Sequence, residues 1–119
     1  MSAKTASAAS ALDDLLETLQ RAGLSPLELR VLVRLTEREA TQSELAGALE
    51  AGPGTIRRAT RRLAMRGLIG RRFERGRRSR FVLRITSSGL LALASLVESL
   101  ERAQDGRRDG GGWLPGDNR

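Results

Sequence analysis

The chain has 119 residues, 39% of them hydrophobic and 29% charged, with a net charge of +7 and neither cysteine nor histidine. That length holds one hydrophobic core and the composition is that of a soluble globular protein, while the missing residue types exclude disulfides, thiol redox sensing, the common zinc and haem ligands and imidazole acid–base chemistry. No apolar run approaches the roughly 20 residues of a membrane span and the N-terminus lacks a signal-peptide core, so a cytoplasmic protein is expected.

Met1 to Ser10 is rich in Ala and Ser with no apolar period, which predicts a disordered lead-in over residues 1–10. Ser10-Ala11-Leu12-Asp13 has the spacing of a capping box, and a short helix follows with Leu12, Leu15, Leu16 and Leu19 on one stripe, ended by Gly23. So narrow a stripe needs the body of the protein or a second subunit to cover it.

The next helix start is stronger. Ser25 caps, Pro26 takes the first helical position, Glu28 closes the box, and Leu24 is placed to staple against Leu29. This helix runs to about Glu37 with Leu27, Val31, Leu32 and Leu35 inward. Thr41-Gln42-Ser43-Glu44 is a further capping box, opening a short helix with Leu45, Ala46 and Leu49 inward, and Ala51-Gly52-Pro53-Gly54 stops it.

Immediately after that turn, with Gly54 or Thr55 as its cap, comes a helix over 55–66. At about 100° per residue, Arg57, Arg58, Arg61 and Arg62 share one arc while Ile56, Ala59 and Leu63 occupy the opposite one. Arginines at i,i+4 spacing repel by a few tenths of a kcal/mol per pair, so an external anion is expected to compensate them. Residues 55–84 hold twelve arginines against one acid, Glu74, whereas the rest of the chain carries nine basic and thirteen acidic residues. A mildly acidic body with one strongly basic segment is the electrostatic footprint of a nucleic-acid-binding protein, where scattered charges would read as a solvated surface.

Gly67 closes the arginine helix. Leu68 to Phe73 then leads through Glu74-Arg75-Gly76-Arg77-Arg78-Ser79 into a segment that alternates Phe81, Leu83 and Ile85 with Arg80, Val82 and Arg84: a β-hairpin with a basic tip. From Ser87 the helical period returns with Leu90, Leu93 or Ala94, Val97, Leu100 and Ala103. Leu91 and Leu96 widen this stripe to more than one side, which predicts cover by a second copy. From Asp105 the chain turns Gly- and Asp-rich, predicting a flexible tail over 105–119, with no role assigned to Trp113.

The fold class is therefore mainly α with a small β-hairpin: a winged helix-turn-helix domain over 11–104, flanked by N- and C-terminal dimerisation helices. An αα-hairpin in a small bundle would account for the paired helices alone, but not for the basic hairpin that follows. With 3% aromatic residues and no nucleophile–base pair or phosphate-cradling loop, no catalytic residue, metal ligand or cofactor is expected, and the chain does not read as an enzyme.

From Leu24 to about Leu96 the chain resembles the MarR-type winged-helix regulators: "LSPLELRVLVRL" and "TQSELAGAL" as helices, "TIRRATRRLAMRGLI" as recognition helix, "RRFERGRRSRFVLRIT" as wing, and "TSSG" leading into the last helix. The resemblance implies a homodimer paired through its terminal helices (Leu12, Leu15, Leu16, Leu19, Leu90, Leu93, Val97 and Leu100) that binds a pseudo-palindromic operator in double-stranded DNA and is often released by a small-molecule effector. By position it implies major-groove contacts from Thr55, Arg57, Arg58, Arg61 and Arg62, and minor-groove contacts from Arg75, Arg77 and Arg78. The family's wing carries an Asp-x-Arg brace, where this chain has Glu74 and Gly76 nearby.

Arginine pairs bidentately with guanine in the major groove, so Arg57, Arg58 and Arg61 are expected at base edges, with Arg62, Arg66, Arg71 and Arg72 available to phosphates. The alternatives are an architectural, chromosome-coating protein that grips DNA without reading it, and an RNA-binding or protein-interaction module. The first is favoured by the absence of Asn and Gln from the arginine helix, the second disfavoured by the absence of Tyr and scarcity of other aromatics.

Overall fold

The computed structural model describes residues 3–112, with side chains over 7–106. Seven elements follow in order: α1 (Ala3–Ala22), α2 (Pro26–Glu37), α3 (Gln42–Leu49), α4 (Pro53–Met65), β1 (Ile69–Glu74), β2 (Arg80–Ile85) and α5 (Ser87–Gly112). They form two compact units: Ser25–Ala94, and the flanking chain of α1 with the later part of α5.

In the Ser25–Ala94 unit the helix starts are set locally. Ser25 and Thr41 each accept a hydrogen bond from the backbone N–H three residues on, while the Glu28 and Glu44 carboxylates accept from the cap N–H groups, so both capping boxes close. The start of α4 differs from the expectation. Its cap is Gly52 rather than Gly54 or Thr55, and Pro53 takes the first helical position, where its missing N–H costs nothing. The helix thus begins two residues earlier than the apolar period indicates, and the Ile56 N–H closes the first turn on the Gly52 carbonyl at 3.0 Å.

Val31, Leu32, Leu35, Leu45, Leu49, Ile56, Ala59 and Leu63 form the core of this unit, as the helical period predicts, with Leu27 and Ala46 half-buried at its edge. Thr60 is also fully buried. Its hydroxyl donates to the Ile56 carbonyl at 2.9 Å and accepts from Gln42 Nε2 at 3.2 Å, which links the first turn of α3 to the middle of α4.

The hairpin pairs β1 with β2 antiparallel, with Phe73 opposite Phe81, Arg71 opposite Leu83, and Arg72 opposite Val82. Ala40 adds a short bridge by exchanging two backbone hydrogen bonds with Leu83, at 2.8 and 3.1 Å. The base of the hairpin is covered on both faces, so Val82 and Leu83 are both buried, and the simple in–out alternation fails there. Toward the tip Phe81 keeps the face it shares with Leu83, and with Phe73 it lies about half exposed.

The α5 helix begins at the expected Ser87. Ahead of it, the Thr86 hydroxyl donates to the Gly67 carbonyl at 2.6 Å and accepts from the Gly89 N–H at 3.1 Å. Gly89 is required here for space, because a Cβ at this position would lie 2.2 Å from the Leu68 carbonyl oxygen.

In the other unit, α1 starts at Ala3, inside the stretch read as disordered, and Ser10 lies within the helix instead of capping it. Alanine is the best helix former, so propensity carries the helix through a segment that has no apolar period. At the other end α5 runs to Gly112 and takes in the first part of the stretch read as a flexible tail. Glycine disfavours a helix by about 1 kcal/mol without forbidding it, and no proline interrupts this run. Trp113 and the rest of the tail lie outside the described residues. No described helix is long and apolar enough to cross a membrane.

Candidate nucleic-acid interface

The outward side of α4 carries Thr55, Arg57, Arg58, Arg61 and Arg62, all exposed, against the buried row Ile56, Ala59, Thr60 and Leu63. This is the two-sided helix that the sequence predicts. Its arginines are not equivalent. Arg58 Nη2 approaches the Thr55 hydroxyl at 3.4 Å, so these two act as one small polar group in the first turns. Arg62 turns back to the body: its Nε lies 3.2 Å from Oε2 of Glu28, a carboxylate only 3% exposed. Of the anions that could offset the charge of α4, one is supplied from inside the protein.

Arg57 and Arg61 point the other way. With Thr41, Gln42, Ala64, Met65, Arg71, Phe81 and Leu83 they line an open cleft of about 800 Å³ between α4 and the hairpin. Arg71 crosses this cleft wall with its guanidinium carbon 4.5 Å from the centre of the Phe81 ring, and Phe81 meets Phe73 edge to face at 5.2 Å. Cation–π attraction holds the Arg71 guanidinium against the Phe81 ring. Three guanidinium groups face this cleft and no carboxylate lines it.

The opposite face of the hairpin is built differently. Arg72 pairs with both Glu39 and Glu74, at 3.3 Å from the latter, and Arg80 pairs with Glu74 at 2.9 Å. Hydrogen bonds donated by Arg80 first and Arg72 second hold the Glu74 carboxyl below the usual carboxylate range, and those that Arg72 donates to Glu39 first and Glu74 second raise Arg72 further above its ordinary value. Arg71 and Arg72, grouped together by sequence, therefore stand on opposite faces, as the two-residue period of a strand demands. Glu74 does brace arginines, but on the strands rather than at the tip. Among the described residues no acidic side chain pairs with Arg75, Arg77 or Arg78, which are exposed around the bend at Gly76. Arg66 caps the C-terminal end of α4 and is exposed.

The expected dimerisation residues divide by burial. Leu12, Leu16, Leu90 and Val97 are each more than half exposed, as is Leu91, whereas Leu15, Leu93 and Leu100 are half-buried. Leu19, at 3% exposure, is buried within the chain itself.

Sequence reasoning missed Glu28, Glu39, Thr60 and Phe81 as residues that shape this surface. The period of α4 already places Thr60 beside Ile56 and Leu63. The partners of Glu28 and Glu39 lie too far along the chain for any local signal.

No family model matches the chain, and no curated protein matches it. Solved structures do. The YusO protein of Bacillus subtilis aligns with a TM-score of 0.73 at 23% identity, over 85% of this chain and 72% of that one. A MarR-family transcriptional regulator from Rhodococcus sp. RHA1 aligns at 0.66 and 21%, over 89% and 76%. A transcriptional regulator homologue from Pyrococcus horikoshii OT3 aligns at 0.66 and 26%, over 79% and 96%.

Proposed function

We propose that this chain, which has the winged-helix fold of MarR-type transcriptional regulators, is a homodimeric, sequence-specific regulator of transcription that binds double-stranded DNA of the nucleoid, acting as a repressor. The observation that carries the reading is the acid-free cleft: Arg57 and Arg61 of α4 face Arg71 of the hairpin across it, on the side where α4 turns its arginines outward. A helix of this kind fits a major groove about 12 Å wide, and a hairpin tip fits the neighbouring minor groove, so the sugar–phosphate strand between the two grooves would lie along the cleft.

In this reading Arg57, Arg58 and Arg61, with Thr55, meet base edges, and each bidentate arginine–guanine pair adds about 1–3 kcal/mol of discrimination. Arg66 and Arg71 meet phosphates. Arg75, Arg77 and Arg78 enter a narrow, A·T-rich minor groove, where the negative potential is deepest. Arg62, held by Glu28, fixes the register of α4 against α2 and contacts a phosphate at most. The exposed Leu12, Leu16, Leu90 and Val97 support pairing of two copies through the terminal helices, which would space the half-sites by about one turn of DNA.

The test is selection of bound duplexes from a random pool. A palindromic consensus supports the proposal, and Arg61→Ala should then relax base preference as well as weaken binding. The second reading, an architectural DNA-coating protein, is favoured by the lack of Asn or Gln in α4 to read adenine. Recovery of no consensus, with tight and strongly salt-dependent binding to every duplex, would select it instead.

A further inference from the structure

Counting arginines exaggerates the charge that the hairpin can offer to DNA. On the face turned away from the cleft, Arg72 lies between Glu39 and Glu74, and Arg80 shares Glu74. The hollow on that side, about 440 Å³, is lined by Arg34, Arg38, Arg72 and Arg80 together with Glu39, Glu44 and Glu74. Four cations face three anions there, and Arg34 is further paired with Glu37 at 3.6 Å. The cleft on the other face has three cations and no anion among its lining residues. One small hairpin thus separates a balanced face from an unbalanced one.

We propose that Glu39 and Glu74 are specificity-setting acids that withhold Arg72 and Arg80 from DNA, so that the wing engages phosphate only through its cleft face and its tip. The inference rests on the DNA-binding reading above and names how that binding is regulated. Non-specific affinity for DNA comes almost wholly from the number of phosphates neutralised, while specificity is a difference between two affinities. Arginines at liberty on the outer strands would strengthen binding to every sequence alike. Pairing each with a carboxylate removes it from that sum, and drawing it off toward a phosphate would leave Glu39 or Glu74 unpartnered beside a polyanion. Glu39 lies just before the bridge residue Ala40, so its link to Arg72 also stays the hairpin from behind and sets the angle at which the tip meets the minor groove. In this role Glu39 and Glu74 position the arginines without touching DNA.

The test measures affinity against salt concentration, on a selected duplex and on an unrelated one, for the wild-type chain and for three variants. The Glu39→Gln/Glu74→Gln double variant should steepen the slope of log affinity against log salt by up to about 1.8, at roughly 0.9 for each phosphate newly engaged. It should also raise affinity for the unrelated duplex more than for the selected one. Arg72→Gln should leave the slope unchanged, whereas Arg71→Gln should reduce it by about 0.9. Thermal melting of each variant, followed by circular dichroism, separates these effects from loss of the fold. An equal fall in slope for Arg72→Gln and Arg71→Gln overturns the inference. So does a double variant whose affinity for the unrelated duplex is unchanged or weaker. If the wild-type chain binds no duplex, the DNA-binding reading fails and this inference fails with it; if it binds and the variants behave otherwise, only this inference fails.

Discussion

Arg62 and Glu28 join an exposed guanidinium on α4 to a carboxylate almost wholly buried at the start of α2, across 3.2 Å. The same carboxylate group accepts the Ser25 N–H at 2.9 Å, so one side chain closes a helix cap and fixes the register of α4. Glu28→Gln keeps the capping hydrogen bond and removes the charge, which should cost under about 1 kcal/mol. Glu28→Ala removes the cap as well and should cost about 1–2 kcal/mol in urea denaturation. Arg62→Ala should lower stability too, since it strips a buried carboxylate of its counter-ion, whereas Arg61→Ala should leave the urea midpoint within about 0.5 kcal/mol of wild type.

Leu12 and Leu16 stand one helical turn apart on α1, both exposed, and Val97 is exposed on α5. If two copies cover these faces, the protein sediments at twice its 12.9 kDa mass. Leu12→Asp/Leu16→Asp should then yield a monomer that retains its helical circular dichroism, because neither side chain belongs to the core of its own chain. A wild-type protein that sediments as a monomer at high micromolar concentration would remove the homodimer from the proposal.

At Gly89 a methyl group would collide with the Leu68 carbonyl and lie 2.5 Å from the Ile85 side chain. Gly89→Ala should therefore destabilise by roughly 1–3 kcal/mol, the cost typical of overpacking, and possible relief is limited because one of the atoms met is backbone. Gly47, inside α3, has open space around it. Gly47→Ala should stabilise by about 0.4–1 kcal/mol through the unfolded chain and through helix propensity. Equal effects of the two substitutions on the urea midpoint would contradict this packing.

Glu74 and Glu44 both titrate below their ordinary range, Glu74 through its arginine hydrogen bonds and Glu44 chiefly through the Thr41 backbone N–H. A carboxyl group whose pKa is depressed by folding stabilises the native state above its unfolded value, near 4.3, and loses that contribution as pH falls through the folded value. The urea midpoint should accordingly lose nothing from these groups between pH 7 and about 5.5, and fall below about 4.5. Glu74→Gln should flatten the acid limb. A midpoint that rises on acidification would show that these carboxylates do not stabilise the fold.

The starts of α2 and α3 were legible because a capping box is complete within four residues, and the face of α4 because four arginines repeat at helical spacing. The start of α4 was less so: Gly52 caps without a side chain, leaving Pro53 as its main local mark. Helix in the Ala-rich stretch before Leu12 carries no apolar period, so a reading based on periodicity passes over it. On the hairpin, alternation assigned faces but not burial, which differs along one face: Leu83 is buried while Phe81 is about half exposed.

What the sequence determined by itself was the order of elements, the segregation of twelve arginines into one quarter of the chain, and the lack of any cysteine or histidine. These follow from residue type and from interactions closed within a turn or two. What only the tertiary structure decided was which arginines are already partnered. Arg62 meets a carboxylate on α2, and Arg72 meets Glu39, 33 residues away, while Arg57, Arg61 and Arg71 converge on a cleft without acids. Opposite charges find one another through space, so their pairing is set by how α2, α4 and the hairpin pack and not by spacing along the chain.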